Sequence, residues 1–255
     1  MKQQAIDIHL LLFLADTHLI LSQRNAENCA HGPVLEQDIA ITNITLDLLG
    51  QARNFYQYAA RLLNKQNPST PATEDSLAYL RTEREFKNLL LTELPNGDWG
   101  QVILRQYLFS EYTQLYFTNL AAHPDADLAA IAEKSLKEIA YHVKWSKEWV
   151  IRLGDGTEES RQRMLHAMDA VWAYTGELFE PVDFESENIL LFHLQSIQPL
   201  WWNRVKETLE EATLQLPGTE VFMQTGGKQG VHTEHLGYIL ADLQYLQRSY
   251  PGAEW

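Results

Sequence analysis

The chain has 255 residues, 45% of them hydrophobic and 21% charged, which is the composition of a globular protein rather than a disordered or fibrous one. Asp and Glu number 34 against 20 Lys and Arg, giving a formal net charge of -14, so nucleic acids and anionic membrane surfaces are disfavoured as partners. The single cysteine, Cys29, excludes a disulfide within the chain and suits a reducing cytoplasm.

The first apolar stretch, residues 5–21, has the sequence AIDIHLLLFLADTHLIL. A membrane-spanning helix needs about 20 predominantly apolar residues, whereas this stretch is interrupted by Asp7, His9, Asp16 and His18. Neither the basic segment nor the small-residue cleavage site of a secretory signal accompanies it. We therefore expect a buried first helix of a soluble protein that does not associate with membranes.

Helical periodicity runs through the rest of the chain. Proline and glycine clusters divide the sequence into segments in which apolar residues recur every three or four positions, the spacing of one face of an α-helix. The stripe in residues 34–65 consists of Ile41, Ile44, Leu48, Ala52, Phe55, Ala59 and Leu62. The predicted helices are 5–24, 34–65, 72–94, 99–122, 125–153, 158–179, 200–216 and 232–250. No alternating segment flanked by hairpin signals predicts a sheet.

Four of these helices, 34–65, 72–94, 99–122 and 125–153, follow one another with short links. That order is typical of a four-helix bundle, with the remaining helices flanking it. No shift in composition marks a second domain. The sequence therefore predicts an all-α protein with a four-helix core, folded as a single domain over residues 1–255.

Acidic residues on the predicted bundle helices suggest comparison with di-iron carboxylate proteins. Those proteins place one Glu on each of two helices and a Glu-x-x-His pair on each of the other two. The acids available here are Asp47, Glu83, Glu111 and Glu138. The residues three positions after Glu83 and Glu138 are Phe86 and Tyr141, which are not histidines, and His142 comes one position late.

A two-iron centre is therefore not expected in this chain. The spacing of Glu138 and His142 still places both on one helical face, which leaves open a single weak metal site. The alternative is that the four acids form buried hydrogen-bond and ion-pair networks, with Arg53, Arg84 and Arg105 as candidate partners.

Two local motifs near the C-terminus have structural interpretations. His232-Thr233-Glu234-His235 does not match a zinc-protease motif, and Thr233 suits the N-cap of the last helix. The glycine-rich loop 225–230 lacks the spacing of a nucleotide-binding loop and follows no strand. We expect a tightly turned loop there, rather than a metal or nucleotide site.

Trp201 and Trp202 point about 100° apart on a helix, so both cannot face the same core. Because Trp is enriched at protein interfaces, we expect at least one to contact a partner, with Lys228 as a polar clamp nearby. The alternative is a tryptophan at the rim that covers the chain's own bundle.

Four runs of the sequence resemble the C subunits of bacterial 1,2-phenylacetyl-CoA epoxidase. They are LEQDIAITNITLDLLGQARNFYQYA (35–59), FKNLLLTELPNGDW (86–99), KEIAYHVKWSKEWVIRLGDGT (137–157) and TGGKQGVHTEHLGYILADLQYLQRSYPGAEW (225–255). The resemblance implies a ferritin-like fold and a cytoplasmic role in aerobic phenylacetate degradation.

It also implies a non-catalytic structural subunit without a cofactor of its own. In that family a related A subunit holds the di-iron site and epoxidises the ring of the CoA thioester. A small B subunit and a reductase with flavin, an iron-sulfur cluster and NADPH complete the system. The alternatives are an autonomous ferritin-like metal-dependent oxidase and an acyl-CoA-binding bundle.

The resemblance further implies that Glu85, Phe86, Lys87 and Asn88 lie near phenylacetyl-CoA at the boundary with the A subunit, where Lys87 would pair with a CoA phosphate. The pattern of the segment 72–94 explains Phe86 equally well as a core residue.

Overall fold

The computed structural model describes residues 6–186, 190–218 and 221–253, and in these ranges it is helical and contains no strand. The α-helices are α1 Ile8–Ala26, α2 Leu35–Gln66, α3 Glu74–Tyr79, α4 Trp99–Leu120, α5 Ala126–Gly154, α6 Glu158–Val171, α7 Asp183–Ser186, α8 Leu190–Glu211 and α9 Glu234–Ser249. Short 3-10 helices lie at Glu83–Glu85, Leu90–Glu93, Trp172–Tyr174, Gly176–Phe179 and Gly227–Gln229. The all-α prediction is confirmed.

Side-chain caps set the starts of several helices. The carboxylates of Asp7, Asp98 and Asp125 accept backbone N–H groups at the starts of α1, α4 and α5. Thr157 and Thr233 do the same for α6 and α9, so the N-cap predicted at Thr233 is confirmed. Each cap satisfies a donor that the first helical turn leaves without a partner.

The predicted helix 72–94 is wrong, because only Glu74–Tyr79 is α-helical. Beyond it two backbone donors bond to side chains of α1. The Lys87 N–H lies 2.9 Å from Oδ2 of Asp16, and the Leu89 N–H lies 3.3 Å from Oγ1 of Thr17. Donors used in this way cannot bond the carbonyl four residues earlier, so tertiary contacts override the helical pattern.

Two other boundaries differ from the prediction. Helix α8 continues through Pro199, where a break was expected. Pro199 is exposed, while Ile197 and Trp201 on either side of it are buried, and this packing offsets the lost backbone bond. The predicted helix 158–179 ends at Val171 and continues as two 3-10 turns.

The chain divides into two compact units. Unit 1 comprises the residues up to Cys29, Ile39–Pro95 and the residues from Gly226 onward, and unit 2 comprises Ala30–Asp38 and Asn96–Thr225. The prediction of a single domain over 1–255 stays a prediction.

The core of unit 1 is built by α1, the inner face of α2 and the segments that cover them. The predicted stripe of α2 is buried from Ile41 to Ala59, and only Leu62 at its end is half-exposed. Helix α1 is buried along most of its length, as expected. No helix in the described part of the chain is long and apolar enough to cross a membrane.

Unit 2 is organised around α4, which packs against α5, α6 and α8. An aromatic cluster of unit 2 joins Trp172, Phe179 and Trp201, with ring centroids 5.3–6.0 Å apart for the pairs that include Trp201. The indole of Trp201 also donates to the carbonyl of Leu108 at 3.0 Å, which satisfies its one polar atom inside the core.

Candidate functional site

The segment from Arg81 to Glu93 in unit 1 contains the four residues expected near substrate. It follows α3 as a sequence of 3-10 turns and extended residues. A chain without regular secondary structure has to place its backbone polar groups on other partners. Two buried carboxylates hold the segment at its two ends: Asp16 accepts the backbone N–H of Lys87, and Glu93 accepts the side-chain amide of Asn88.

Asp16 lies on α1, is fully buried, and joins three elements. Its carboxylate accepts the hydroxyl of Tyr56 at 2.5 Å, the Nη1 of Arg81 at 3.0 Å and the N–H of Lys87 at 2.9 Å. The Arg81 guanidinium also stacks over the ring of Phe86, 4.4 Å from its centroid. Burial, reinforced by the charge of Asp16, raises the pKa of Tyr56 well above its usual value, so Tyr56 remains a donor.

Glu93 anchors the other end of the segment. Its Oε1 accepts from Asn88 at 2.8 Å and from Nδ1 of His232 at 2.7 Å, and its Oε2 accepts the N–H and hydroxyl of Thr233 at 2.8 and 2.6 Å. The second ring nitrogen of His232 lies 3.0 Å from the carbonyl oxygen of Phe86.

Both ring nitrogens of His232 therefore face oxygen atoms, an arrangement that favours the doubly protonated imidazolium. Burial by itself lowers the pKa of His232, but the hydrogen bond and the charge of Glu93 more than offset it, so the pKa is raised. This pair ties the start of α9 to the segment 86–93 through a charge-assisted hydrogen bond.

Beside the segment lies a cleft of about 550 Å³, lined by Glu83, Arg84 and residues 229–232. Gly230 at its edge has φ +83°, and an added Cβ would overlap the carbonyl oxygen of Arg84. Close backbone approach at a left-handed residue requires glycine. The predicted tight turn of loop 225–230 is confirmed.

The four candidate substrate residues have different surroundings. Phe86 and Asn88 are fully buried, and Asn88 is bonded to Glu93, so both belong to the core of unit 1. Glu85 is exposed, and its carboxylate accepts hydrogen bonds from the N–H and the hydroxyl of Thr82. These hydrogen bonds lower the pKa of Glu85. The side chain of Lys87 is half-buried. Only Glu85 and Lys87 remain able to meet a ligand.

In unit 1, three residues that the sequence analysis compared with di-iron ligand positions do not occupy interior helical positions. They are Asp47, Glu83 and Phe86. Glu83 is exposed on a 3-10 turn because the helix predicted to carry it does not form. Phe86 is buried in extended backbone, for the same reason. Asp47 lies half-buried on the flank of α2, whereas Gln51, one turn later, is the polar residue that faces inward.

In unit 2 the acid and the histidine of interest are Glu111 and His142, which are both buried. Glu111 pairs with Arg204 at 3.2 Å, and burial raises the pKa of Glu111 although Arg204 opposes the shift. Glu138 is half-buried, and Tyr141 is 46% exposed, so its position does not correspond to an inward-facing ligand.

These residues do not fit a di-iron centre. Within residues 6–186, 190–218 and 221–253, no three His, Cys, Asp or Glu side chains are grouped as a metal ion would need. Two of the arginines predicted as partners of these acids have defined contacts in the structure. Arg53 pairs with Glu74 at 2.7 Å and Arg105 contacts Asn96 at 2.6 Å.

Two of the three interface candidates need correction. Trp201 is 1% exposed because it fills the core of unit 2, and Lys228 is 2% exposed with its ammonium 5.3 Å from the centroid of the Phe13 ring. Neither presents a surface anchor. Trp202 is half-buried and lies edge-on to Trp172 at 5.7 Å, so it covers the unit's own core as the alternative predicted.

The sequence matches a known protein family. The family model described as phenylacetic acid catabolic protein matches residues 1–255. The chain belongs to this family. A curated relative, the C subunit of 1,2-phenylacetyl-CoA epoxidase from Escherichia coli (strain K12), is 45% identical over 247 residues, which cover 96% of this chain and 97% of the relative. The family is ferritin-like and helical, in agreement with the all-α structure.

Asp16 and Glu93, the two acids that organise the segment 81–93 of this family member, were not predicted as site residues. A signal was present, since each is a single acid within an apolar run, HLLLFLADTHLIL and NLLLTELP. A carboxylate in such a run is buried at a cost unless it is paired. The run does not identify the pairing partners, which come from residues 40 to 140 positions away.

Proposed function

We propose that this chain is the non-catalytic structural subunit of a 1,2-phenylacetyl-CoA epoxidase, the multicomponent monooxygenase that epoxidises the ring of phenylacetyl-CoA. The observation that carries the proposal is the 45% identity, over nearly the whole of both chains, to a protein named as the C subunit of that enzyme. Identity at this level along full-length chains favours the same position in the same assembly.

The state of the buried acids supports a non-catalytic role. Asp16, Glu93 and Glu111 are engaged with Arg81, His232 and Arg204 respectively. Carboxylates that are themselves buried and paired with a cation are costly to withdraw for metal binding or proton transfer. The chemistry of the assembly then belongs to a di-iron A subunit, supplied with electrons from NADPH by a reductase with flavin and an iron-sulfur cluster. A small B subunit and a cytoplasmic location complete the proposal.

The surface through which this chain contributes to substrate binding is the cleft beside Arg84 and Lys87. Both cations lie near the mouth of the cleft, and the CoA moiety carries phosphates that cations recognise. In the assembled enzyme, Lys87→Met should raise the KM for phenylacetyl-CoA several-fold and leave kcat nearly unchanged. The matched control is Lys65→Met at the exposed end of α2. An unchanged KM for Lys87→Met would remove this residue from the binding site.

The proposed function is tested by expressing the chain alone and together with the A subunit of the same organism. We expect the chain alone to contain no stoichiometric iron, and the A subunit to be inactive or unstable until this chain is added. Two irons per chain with an oxo-bridged optical band would instead establish an autonomous oxidase. Full epoxidation by the A subunit in the absence of this chain would contradict the structural role.

A further inference from the structure

A cavity of about 210 Å³ lies between α2 and α3 in unit 1. Its floor is apolar and buried, since Leu19 of α1, Ala52 of α2 and Ala78 of α3 are 3%, 1% and 6% exposed. Its rim is open to solvent, because Leu49 and Asp75 are exposed. The two alanines leave the space open, since neither has a side-chain atom beyond Cβ.

Water is a poor occupant of this floor. The side chain of Tyr56 also lines the cavity, but its hydroxyl already donates to Asp16 at 2.5 Å and lies 3.2 Å from Nη2 of Arg81. An ordered water needs about two to four polar partners, whereas an apolar cavity stays dry and takes up apolar molecules. A cavity of about 150 Å³ with apolar walls holds one benzene ring. This one therefore has room for a ring with a short substituent.

Two tyrosines favour an aromatic occupant. Tyr56 of α2 and Tyr79 of α3 both line the cavity, and aromatic side chains pack favourably against another ring in edge-to-face or offset geometry. Burial, reinforced by the charges of Asp75 and Glu74, raises the pKa of Tyr79, so its hydroxyl stays protonated. Tyr79 thus combines an apolar wall with a polar group at the half-buried end of the cavity.

The charges at the rim disfavour an anion. Arg53 supplies one positive charge, and Glu74 and Asp75 supply two negative charges, so the residues that line the cavity have a net charge of -1. Arg53 pairs with Glu74 at 2.7 Å, which leaves the exposed carboxylate of Asp75 to set the sign of the rim. An anionic substituent is repelled there, whereas an uncharged or cationic one is accepted.

We propose that this cavity is a binding site for a small molecule with one aromatic ring and an uncharged or cationic polar group. Its lining residues differ from those of the cleft beside Arg84, and binding here does not require the function proposed above. The two regions are linked by hydrogen bonds, since Tyr56 donates to Asp16 and Asp16 accepts the N–H of Lys87 at 2.9 Å. A ring packed against Tyr56 therefore stabilises the contacts that hold the backbone at Lys87.

The test is isothermal titration calorimetry of the full-length chain with three probes that share a benzyl group: benzyl alcohol, benzylamine and phenylacetate. The first two should bind with Kd values of about 1 mM or lower. Phenylacetate should bind at least about 10-fold more weakly because of Asp75. Ala78→Leu fills the cavity and should weaken the binding of benzyl alcohol and benzylamine at least about 10-fold. The matched control Ala130→Leu adds the same atoms at an exposed position of α5 and should bind like the wild type.

Asp75→Lys tests the rim without a change in the core, because Asp75 is exposed. This variant should bind phenylacetate more tightly than benzylamine, which reverses the order of the wild type. A second measurement is amide hydrogen exchange of the wild type. Saturating benzyl alcohol should slow the exchange of the Lys87 N–H, which Asp16 accepts.

Each outcome decides one part of the proposal. The site is overturned if the wild type binds neither benzyl alcohol nor benzylamine, or if Ala78→Leu binds them as the wild type does. If Ala78→Leu does not fold, Asp75→Lys decides, and affinities equal to those of the wild type would overturn the site. Equal affinities of the three probes for the wild type would refute the class of ligand. Unchanged exchange at Lys87 would refute the link through Tyr56. None of these measurements involves the A subunit, so the proposed function stands or fails separately.

Discussion

Nδ1 of His232 lies 2.7 Å from Oε1 of Glu93, and the two side chains are 1% and 0% exposed. The other ring nitrogen of His232 faces the carbonyl of Phe86, so the two contacts favour the protonated form of the histidine. This contact joins the start of α9 to the segment 86–93 and makes the stability of unit 1 dependent on pH.

His232→Gln should lower the free energy of unfolding by about 3 kcal/mol at pH 6, because it leaves a buried carboxylate without its cation. The pKa of His232 is raised from its ordinary value of 6.5. The stabilisation is therefore complete below about pH 6.5 and is lost as the pH rises through the raised folded pKa, by at most about 1.4 kcal/mol per pH unit.

Urea unfolding between pH 6 and pH 9 measures this effect as the difference between wild type and variant. His9→Gln, at an exposed histidine, serves as the control and should shift neither the magnitude nor the pH dependence. A difference that stays constant over the whole range would show that His232 is not held as a cation.

Asp16→Asn tests the second anchor of the segment 81–93. The substitution leaves the buried guanidinium of Arg81 without its counter-ion and should cost about 3 kcal/mol or more of unfolding free energy. Glu159→Gln removes a carboxylate whose pair with Arg163 is exposed, and it should cost less than about 1 kcal/mol. Equal losses for the two variants, measured by chemical denaturation, would be inconsistent with a structural role of Asp16.

Gly230→Ala tests the close approach of loop 225–230 to the segment at Arg84. We expect a loss of about 2–4 kcal/mol, which combines the left-handed conformation with the contact between Cβ and the Arg84 carbonyl. Gly252 has φ +77° with no atom near its Cβ position, so Gly252→Ala isolates the conformational part and should cost about 1 kcal/mol. The close approach is refuted if both variants melt alike.

Trp201→Ala and Trp202→Ala separate core packing from partner contact. Trp201 fills the cluster with Trp172 and Phe179, so its truncation should destabilise the isolated chain by about 3–5 kcal/mol. Trp202 is only half-buried, and its truncation should cost less than half as much. Thermal melts of the isolated chain make this comparison. If Trp201→Ala leaves the melting temperature unchanged, Trp201 is again a candidate for the partner interface.

Local sequence patterns were sufficient for most of the helices. Periodic apolar residues located α1, α2, α4, α5 and α9, because an amphipathic helix of ten or more residues carries its own burial pattern. The same patterns predicted the all-α class, and the four quoted runs predicted the family that the comparisons confirm. The cap at Thr233 and the turn at 225–230 were also local signals.

Tertiary contacts decided the segment 80–93 and the candidate site. Its residues have helical periodicity, but Asp16 and Thr17, some seventy residues earlier, take the backbone donors that a helix would use. Glu83 and Phe86 therefore do not lie on an α-helix, although the pattern predicts one there. In the same way, Glu93 is neutralised by a histidine 139 residues away.

The direction in which each tryptophan points was settled by the same kind of contact. The sequence does not indicate which of Trp201 and Trp202 is buried. Trp201 faces inward because it packs against Trp172 and Phe179. The amino-acid sequence by itself thus determined where most of the helices form and which family the chain belongs to, because those properties depend on neighbours along the chain. The pairing of buried charges and the choice of exposed faces depend on residues that only folding brings together, so the tertiary structure alone decided them.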